Sequence, residues 1–412
     1  MKIAIYGVSR AGKDYLIGNA VNKVPQLYHL RGSETLKRLS QEKLGKPFAE
    51  TDEDEKNVLR VAFTEEAAAT EKKYGNIVID GHYAFPDDNG GYRIAFTEAD
   101  RTLYDVFIYL KPKTERILEN QKHLKDGKPV RQFTASEIEA WEEFEIAEMQ
   151  KVCRGLDKEL IVLDGDIPVC AEFIKDIVAA PEMCEPRKLV KDMLKDFAGL
   201  TDKSGTVVVT DCDKTLSMKD TGDSFGEYVG LEGKALKEIF RGDYYSIYQF
   251  YKWKKLYEKY VDAGTFGGAC AFAVSDARIN QKLVADVSKR ECLTVGITTG
   301  LTEIWQPIAH GAGFPQLLFG NTMGKTPLIV SATTKRMLVE ELQKAGKTVI
   351  ALGDGTLDMP MLEAADKGYV IAEAKLSKSV AKYLADKKPD IKQLSYSKFK
   401  YDGLGVANSI WE

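Results

Sequence analysis

Two polar turns, each closing a short apolar strand, constrain this chain more than any other feature. The first is Gly7-Val8-Ser9-Arg10-Ala11-Gly12-Lys13-Asp14, after the apolar run 2–6. The second is Asp211-Cys212-Asp213-Lys214-Thr215-Leu216, after the run 206–210. A polar turn at the end of an apolar strand is the working joint of an open α/β sheet, where ligands gather at the carboxyl edge.

The surrounding pattern repeats that joint. Short β-rich runs fall at 2–6, 26–30, 76–79, 106–110 and 160–163, with helical stretches at 13–22, 34–44, 52–73 and 135–152. A second series falls at 206–210, 293–297, 316–319, 348–352 and 368–371, with a short helix near Val380. Apolar strands alternating with helices predict mostly parallel sheets covered on both faces. At 412 residues the chain is too long for one ordinary domain. The expected fold class is therefore α/β in two domains, 1–180 and 206–412. A Pro-led, charged helical join at 181–205 separates them. The second domain carries a helical insertion, about 218–285, crowded with aromatics.

Bulk properties exclude some partners. The chain is 44% hydrophobic and 29% charged, as soluble globular proteins are. A net charge of −4 lacks the basic surplus of proteins that bind long duplexes, although a local basic groove stays open. No apolar run approaches membrane-spanning length, so no membrane partner is expected. The start reads as a strand and not as a leader peptide. Six scattered cysteines without a C-x-x-C pair read as reduced thiols. Together these predict a cytoplasmic protein; the oligomeric state is left open.

Gly7 to Lys13 fits G-x-x-x-x-G-K between a strand and a helix, the context that pattern requires. Its glycines let backbone N–H groups turn toward phosphate oxygens, and the helix N-terminus adds partial positive charge. Gly7, Gly12, Lys13 and Asp14 are thus the candidate residues for ATP or another nucleoside triphosphate. Asp14 stands where Ser or Thr is usual, which puts the Mg²⁺ contact in question, although a carboxylate can also hold magnesium.

Four features over about 1–175 carry a resemblance to the adenylate-kinase-like, nucleoside-monophosphate kinase branch of P-loop proteins. They are the phosphate cradle, His29-Leu30-Arg31-Gly32-Ser33-Glu34 with Lys37 and Arg38, Val78-Ile79-Asp80-Gly81-His82, and the basic segment Lys122 to Arg131. The resemblance implies that Asp80 organises Mg²⁺ and the acceptor, and that Lys128 or Arg131 serves a lid. Glu34 has two readings. It accepts the proton of an acceptor hydroxyl, or it is the first-turn acid of a helix capped by Ser33.

In the second half, Asp211 and Asp213 end one strand, Thr298 and Thr299 another, and Asp354 and Asp358 a third. Thr333-Thr334-Lys335-Arg336 opens the helix between the last two. Three or more carboxylates converging on one sheet edge cannot all stay ionised without a cation, and Mg²⁺ is the default hard ion. The four motifs in this order resemble the haloacid dehalogenase-like phosphatases, and with a helical insertion after the first motif, their phosphoserine phosphatase branch. The resemblance, over about 206–390, implies that Asp211 is a nucleophile forming an aspartyl-phosphate. It implies Asp213 as general acid/base, Thr298 (alternatively Thr299) on the phosphoryl oxygens, and Lys335 (alternatively Lys325) as charge neutraliser. Mg²⁺ would be held by the Asp211 carboxylate, the Asp213 carbonyl and Asp354, with Asp358 in support. The insertion becomes a cap. Its aromatics either form the cap's own core or stack a base or sugar, with Arg241, Tyr244 and Tyr245 nearest the pocket.

The expected function is bifunctional: a Mg²⁺-dependent phosphomonoesterase joined to an ATP-dependent kinase-like domain, acting on a small phosphorylated metabolite or nucleotide. One alternative is end repair of nucleic acids, as in polynucleotide kinase–phosphatases. The order of the halves favours it, while the acidic charge and the large cap count against it. The other is a phosphatase regulated by a nucleotide-binding module that transfers nothing.

Overall fold

The computed structural model describes residues 1–412 apart from 88, 124–130, 196–204, 232, 241–243, 325–328 and 373. The chain divides into two units, Met1–Cys184 and Glu185–Glu412.

The strands of the first unit are β1 (Lys2–Tyr6), β2 (Leu27–Leu30), β3 (Asn76–Asp80), β4 (Ala84–Pro86), β5 (Tyr92–Ile94), β6 (Val106–Leu110) and β7 (Leu160–Leu163). Five form a parallel sheet in the order β2-β3-β1-β6-β7, and β4 with β5 makes a small antiparallel ribbon. Every residue of β6 and β7 is buried, as in strands covered by helices on both faces. β1 is central, and the chain leaves it toward β2 on one side and reaches β6 on the other. That reversal opens a crevice at the carboxyl end of β1, where the Gly7–Gly12 loop lies. Gly7 sits at φ 151°, and a Cβ there would meet the Leu110 carbonyl at 2.8 Å. The loop can pass the end of β6 only as glycine.

The second unit has β8 (Thr206–Thr210), β9 (Leu293–Leu301), β10 (Leu317–Asn321), β11 (Thr348–Gly353), β12 (Lys367–Ile371), β13 (Lys392–Leu394) and β14 (Val406–Ala407). All pair in parallel, in the order β10-β9-β8-β11-β12-β13-β14. β13 and β14 are additions to the five strands expected. They are too short to show a period, and buried Gln393 fixes them. Its amide donates to the carbonyls of Ala372 and Phe399 (both 3.1 Å) and accepts from the Tyr401 N–H (2.7 Å). The helix Pro186–Lys195, expected within the join, belongs to this unit. Val190 and Met193 enter its core, and Arg187 pairs with Glu340 and Glu341.

The insertion between β8 and β9 holds the helices Thr221–Tyr228, Gly233–Ile239, Ile247–Tyr260 and Ala263–Asp276. Its neck is closed by a bridge between Ser217 and Ile279, with the Met218 N–H donating to the Arg278 carbonyl (2.7 Å). Most of its aromatics are core. Tyr248, Phe250, Tyr251, Trp253 and Tyr257 are buried, and Phe225 stacks on Tyr257 at 4.6 Å.

Candidate functional site

The carboxyl edge of the seven-stranded sheet brings distant residues together. β8 ends at Thr210, and the next N–H, from Asp211, still donates to the Leu352 carbonyl of β11 (2.8 Å). That bond anchors Asp211 at the sheet edge. Ser331 caps the helix Ala332–Lys344, which sets Lys335 in its first turn. The Lys335 ammonium donates to Asp211 Oδ1 (2.5 Å) and to Asp358 Oδ1 (2.7 Å), at 1% exposure. Asp358 is fixed in turn, its other oxygen accepting from the N–H groups of Asp354 (3.1 Å) and Gly355 (3.0 Å).

Asp211, Asp354 and Asp358 each offer a carboxylate oxygen within 4.8 Å of the others. Burial, then the charges of Asp358 and Asp354, push the Asp211 carboxyl well above the usual range, against the pull of Lys335. Burial and Asp358 raise Asp354 to about 7. Lys214 and Lys335 pull on Asp354 less than burial and Asp358 push it, so the cluster fits a divalent cation with hard oxygen ligands.

The Asp213 carboxylate stands outside that cluster but beside it. Its Oδ1 accepts from the Thr221 N–H (2.6 Å) and hydroxyl (2.7 Å), and its Oδ2 from the Trp305 indole (3.1 Å). Burial and then the Asp220 charge raise its carboxyl to about 6, while these donors oppose the shift. Between the acids and the insertion lies a cavity of about 250 Å³. Lys214 stands on its rim at φ 58° and bonds Asp220 Oδ2 (2.6 Å).

In the first unit, Gly12 caps the helix Lys13–Lys23 at φ 97°. The Lys13 ammonium folds back to the carbonyls of Gly7 (2.6 Å) and Val8 (3.2 Å), so it lies inside the loop a phosphate would enter. Asp80 ends β3, the neighbour of β1, and its Oδ1 lies 2.9 Å from His29 Nε2. Burial raises the Asp80 carboxyl, but His29 and Lys13 outweigh it and hold it below its ordinary value. Asp14, His29 and Asp80 bring one ligand atom each within 4.8 Å of the others.

Residues 332–391 match the model of the haloacid dehalogenase-like hydrolases. The C-terminal unit therefore contains a stretch similar to that family, with Lys335, Asp354 and Asp358 inside it. Among solved structures, a haloacid dehalogenase family hydrolase from Salmonella enterica serovar Typhi is 18% identical, over 47% of this chain and 68% of its own, at a TM-score of 0.33. A phosphoserine phosphatase is 16% identical over 45% and 92%, at 0.33. A deoxyadenosine kinase from M. mycoides is 18% identical over 44% and 100%, at 0.25. These values are too low to transfer an activity. No curated protein matches the chain.

Several sequence expectations need correction. Thr299, not Thr298, lines the cavity. Thr298 is buried and its hydroxyl accepts from the Gly300 N–H (2.9 Å), because alternation along β9 turns the two threonines apart. Asp358, expected in support, stands beside Asp211 and Asp354 as the third carboxylate of the acidic cluster. The helix after β2 begins at Gly32 with Arg31 at its cap, so Ser33 does not cap it. Glu34 is exposed and pairs with Arg31 at 3.3 Å. Arg131 lies over the Phe133 ring, 4.9 Å from its centroid. Tyr245 lines the cavity together with Phe240. Lys128, Arg241 and Lys325 lie outside the described residues. Sequence reasoning quoted His29 without assigning it, and missed Trp305 and Thr221. Only the pairing of β2 with β3 betrays the first; for the other two the sequence holds no signal.

Proposed function

We propose that the C-terminal unit is a Mg²⁺-dependent phosphomonoesterase that acts through a covalent Asp211 phosphate on a small phosphorylated molecule. The observation that carries this reading is Lys335 held between Asp211 and Asp358, at the sheet edge where Asp354 converges. Asp211, Asp354 and the backbone carbonyl of Asp213 would hold the ion, with Asp358 beside them. The ion, when bound, would offset negative charge on the phosphoryl group and the acids.

The chain's own residues divide the rest. An Asp211 oxygen attacks phosphorus as the bond from phosphorus to the alcohol oxygen breaks. Protonated Asp213 gives its proton to that oxygen, so the alcohol leaves neutral. Water then attacks the phosphorus, Asp213 takes a proton back, and the bond to Asp211 breaks. A carboxyl near 6 can play both parts near neutral pH. Lys335 neutralises the nucleophile side, and Thr299 holds a phosphoryl oxygen. Phosphate release from a panel of phosphomonoesters, including oligonucleotides with phosphorylated ends, tests the reading. No release with Mg²⁺ on any of them would refute it.

The N-terminal unit is read as an ATP-dependent phosphotransferase built on Gly7–Lys13 and Asp80. Its support is the loop at the switch point of the sheet, with Lys13 inside it. A second reading, nucleotide binding without transfer, is favoured by exposed Asp14 where a hydroxyl is usual. ATP consumption with and without an acceptor separates the two.

A further inference from the structure

The cavity of the C-terminal unit has two unlike walls. Its floor is the charged set of Asp211, Lys335 and Asp354, which accounts for a phosphoryl group and nothing more. The insertion contributes two aromatic rings to the lining, Phe240 and Tyr245, beside the carboxylate of Asp220. Both rings are fixed. Phe240 packs on buried Phe250 at 5.4 Å, and the Tyr245 hydroxyl donates to the Phe240 carbonyl (3.1 Å). The two rings lie 6.2 Å apart, tilted by 35°, with no room for a ring between them.

Aromatic surface turned toward a polar, charged cavity is unfavourable in water until a ligand covers it. We propose that the alcohol released here carries a ring whose face lies against Phe240 and Tyr245, as a nucleoside or a cyclic sugar does and an acyclic alcohol does not. This rests on the phosphomonoesterase reading and names its substrate class.

The test compares kcat/KM with Mg²⁺ for a nucleoside monophosphate, a cyclic sugar phosphate, glycerol phosphate and phosphoserine. It uses the full chain and its Phe240→Leu and Tyr245→Leu variants, with thermal unfolding measured on each. The wild-type chain is expected to prefer a ring-bearing ester. The ratio of ring-bearing to acyclic kcat/KM should fall about 5- to 100-fold in a folded variant, the range of one lost aromatic stack. Whether the nucleoside or the sugar ester loses more tells which ring is bound. A wild-type preference for the acyclic esters, or an unchanged ratio in a folded variant, overturns this inference alone. Failure to hydrolyse any ester removes the phosphomonoesterase reading and this inference with it.

Discussion

Lys335 and Asp211 meet at 2.5 Å although 124 residues separate them in the chain, and both are almost wholly withdrawn from water. Neither charge could be buried there alone. Removing the lysine leaves Asp211 and Asp358 facing each other unpaired. We expect Lys335→Ala to lower kcat for phosphoester hydrolysis by about 10²–10³-fold, the usual loss of one preorganised electrostatic contact. It should also cost about 3–5 kcal/mol of stability, as breaking a buried ion pair does. Steady-state kinetics and urea unfolding measure the two effects, and full activity in a folded variant would exclude the proposed role.

Asp211→Asn keeps the shape of the side chain but removes the nucleophilic oxygen's charge. Hydrolysis should fall below detection while the circular dichroism spectrum and unfolding midpoint stay near wild type. The amide relieves the crowding of acids, so the midpoint should not fall. Residual turnover near the wild-type rate would rule out Asp211 as the attacking group.

The acidic cluster predicts an unusual dependence of stability on pH. Asp354 is raised to about 7, against about 3.9 for a free carboxyl. The native state then holds this proton more tightly than the unfolded state. The associated stability is present below about pH 4 and is lost as pH rises through 7. Bound Mg²⁺ replaces the proton as the balancing charge. The rise in melting temperature on adding Mg²⁺ should therefore be larger at pH 8 than at pH 5.5. Differential scanning fluorimetry at both pH values, with EDTA as reference, decides it. An increment equal at the two values would show that ion binding does not displace this proton.

Lys13→Ala should abolish nucleotide binding by the first unit, because its ammonium lies inside the glycine loop. Hydrolysis of a phosphomonoester by the second unit should persist within about twofold. Isothermal titration with ATP and a phosphate-release assay on the same preparation report both. Parallel loss of the two would mean that nucleotide occupancy controls the phosphatase.

Much of the architecture was legible because parallel strands buried on both faces must be continuously apolar. The runs that became β1, β6, β7, β8 and β11 could hardly be read otherwise. β13 and β14 could not be read this way. They are short, and Gln393 holds them by side-chain bonds to the loop between them and to the residue after β12. The helix Pro186–Lys195 has a clear apolar stripe, yet its sequence does not say which unit it packs on. Val190 and Met193 answer that by entering the second core.

The candidate site divides in the same way. Residues whose chemistry depends on their place at a strand's end, namely Gly7, Asp80, Asp211 and Asp354, stand out in the sequence. They stand at the carboxyl ends of apolar strands, where an open α/β sheet gathers its ligand-binding groups. What the fold alone decided is which of them touch. Alternation on β9 chose Thr299 over Thr298 for the cavity, and the helix after Ser331 carried Lys335 onto Asp211. Trp305 and Thr221 closed on Asp213 from elements with no motif at all. Local sequence sets strand, turn and helix through short-range propensity. Contacts between residues more than a hundred positions apart are set by packing, which no single stretch of sequence contains.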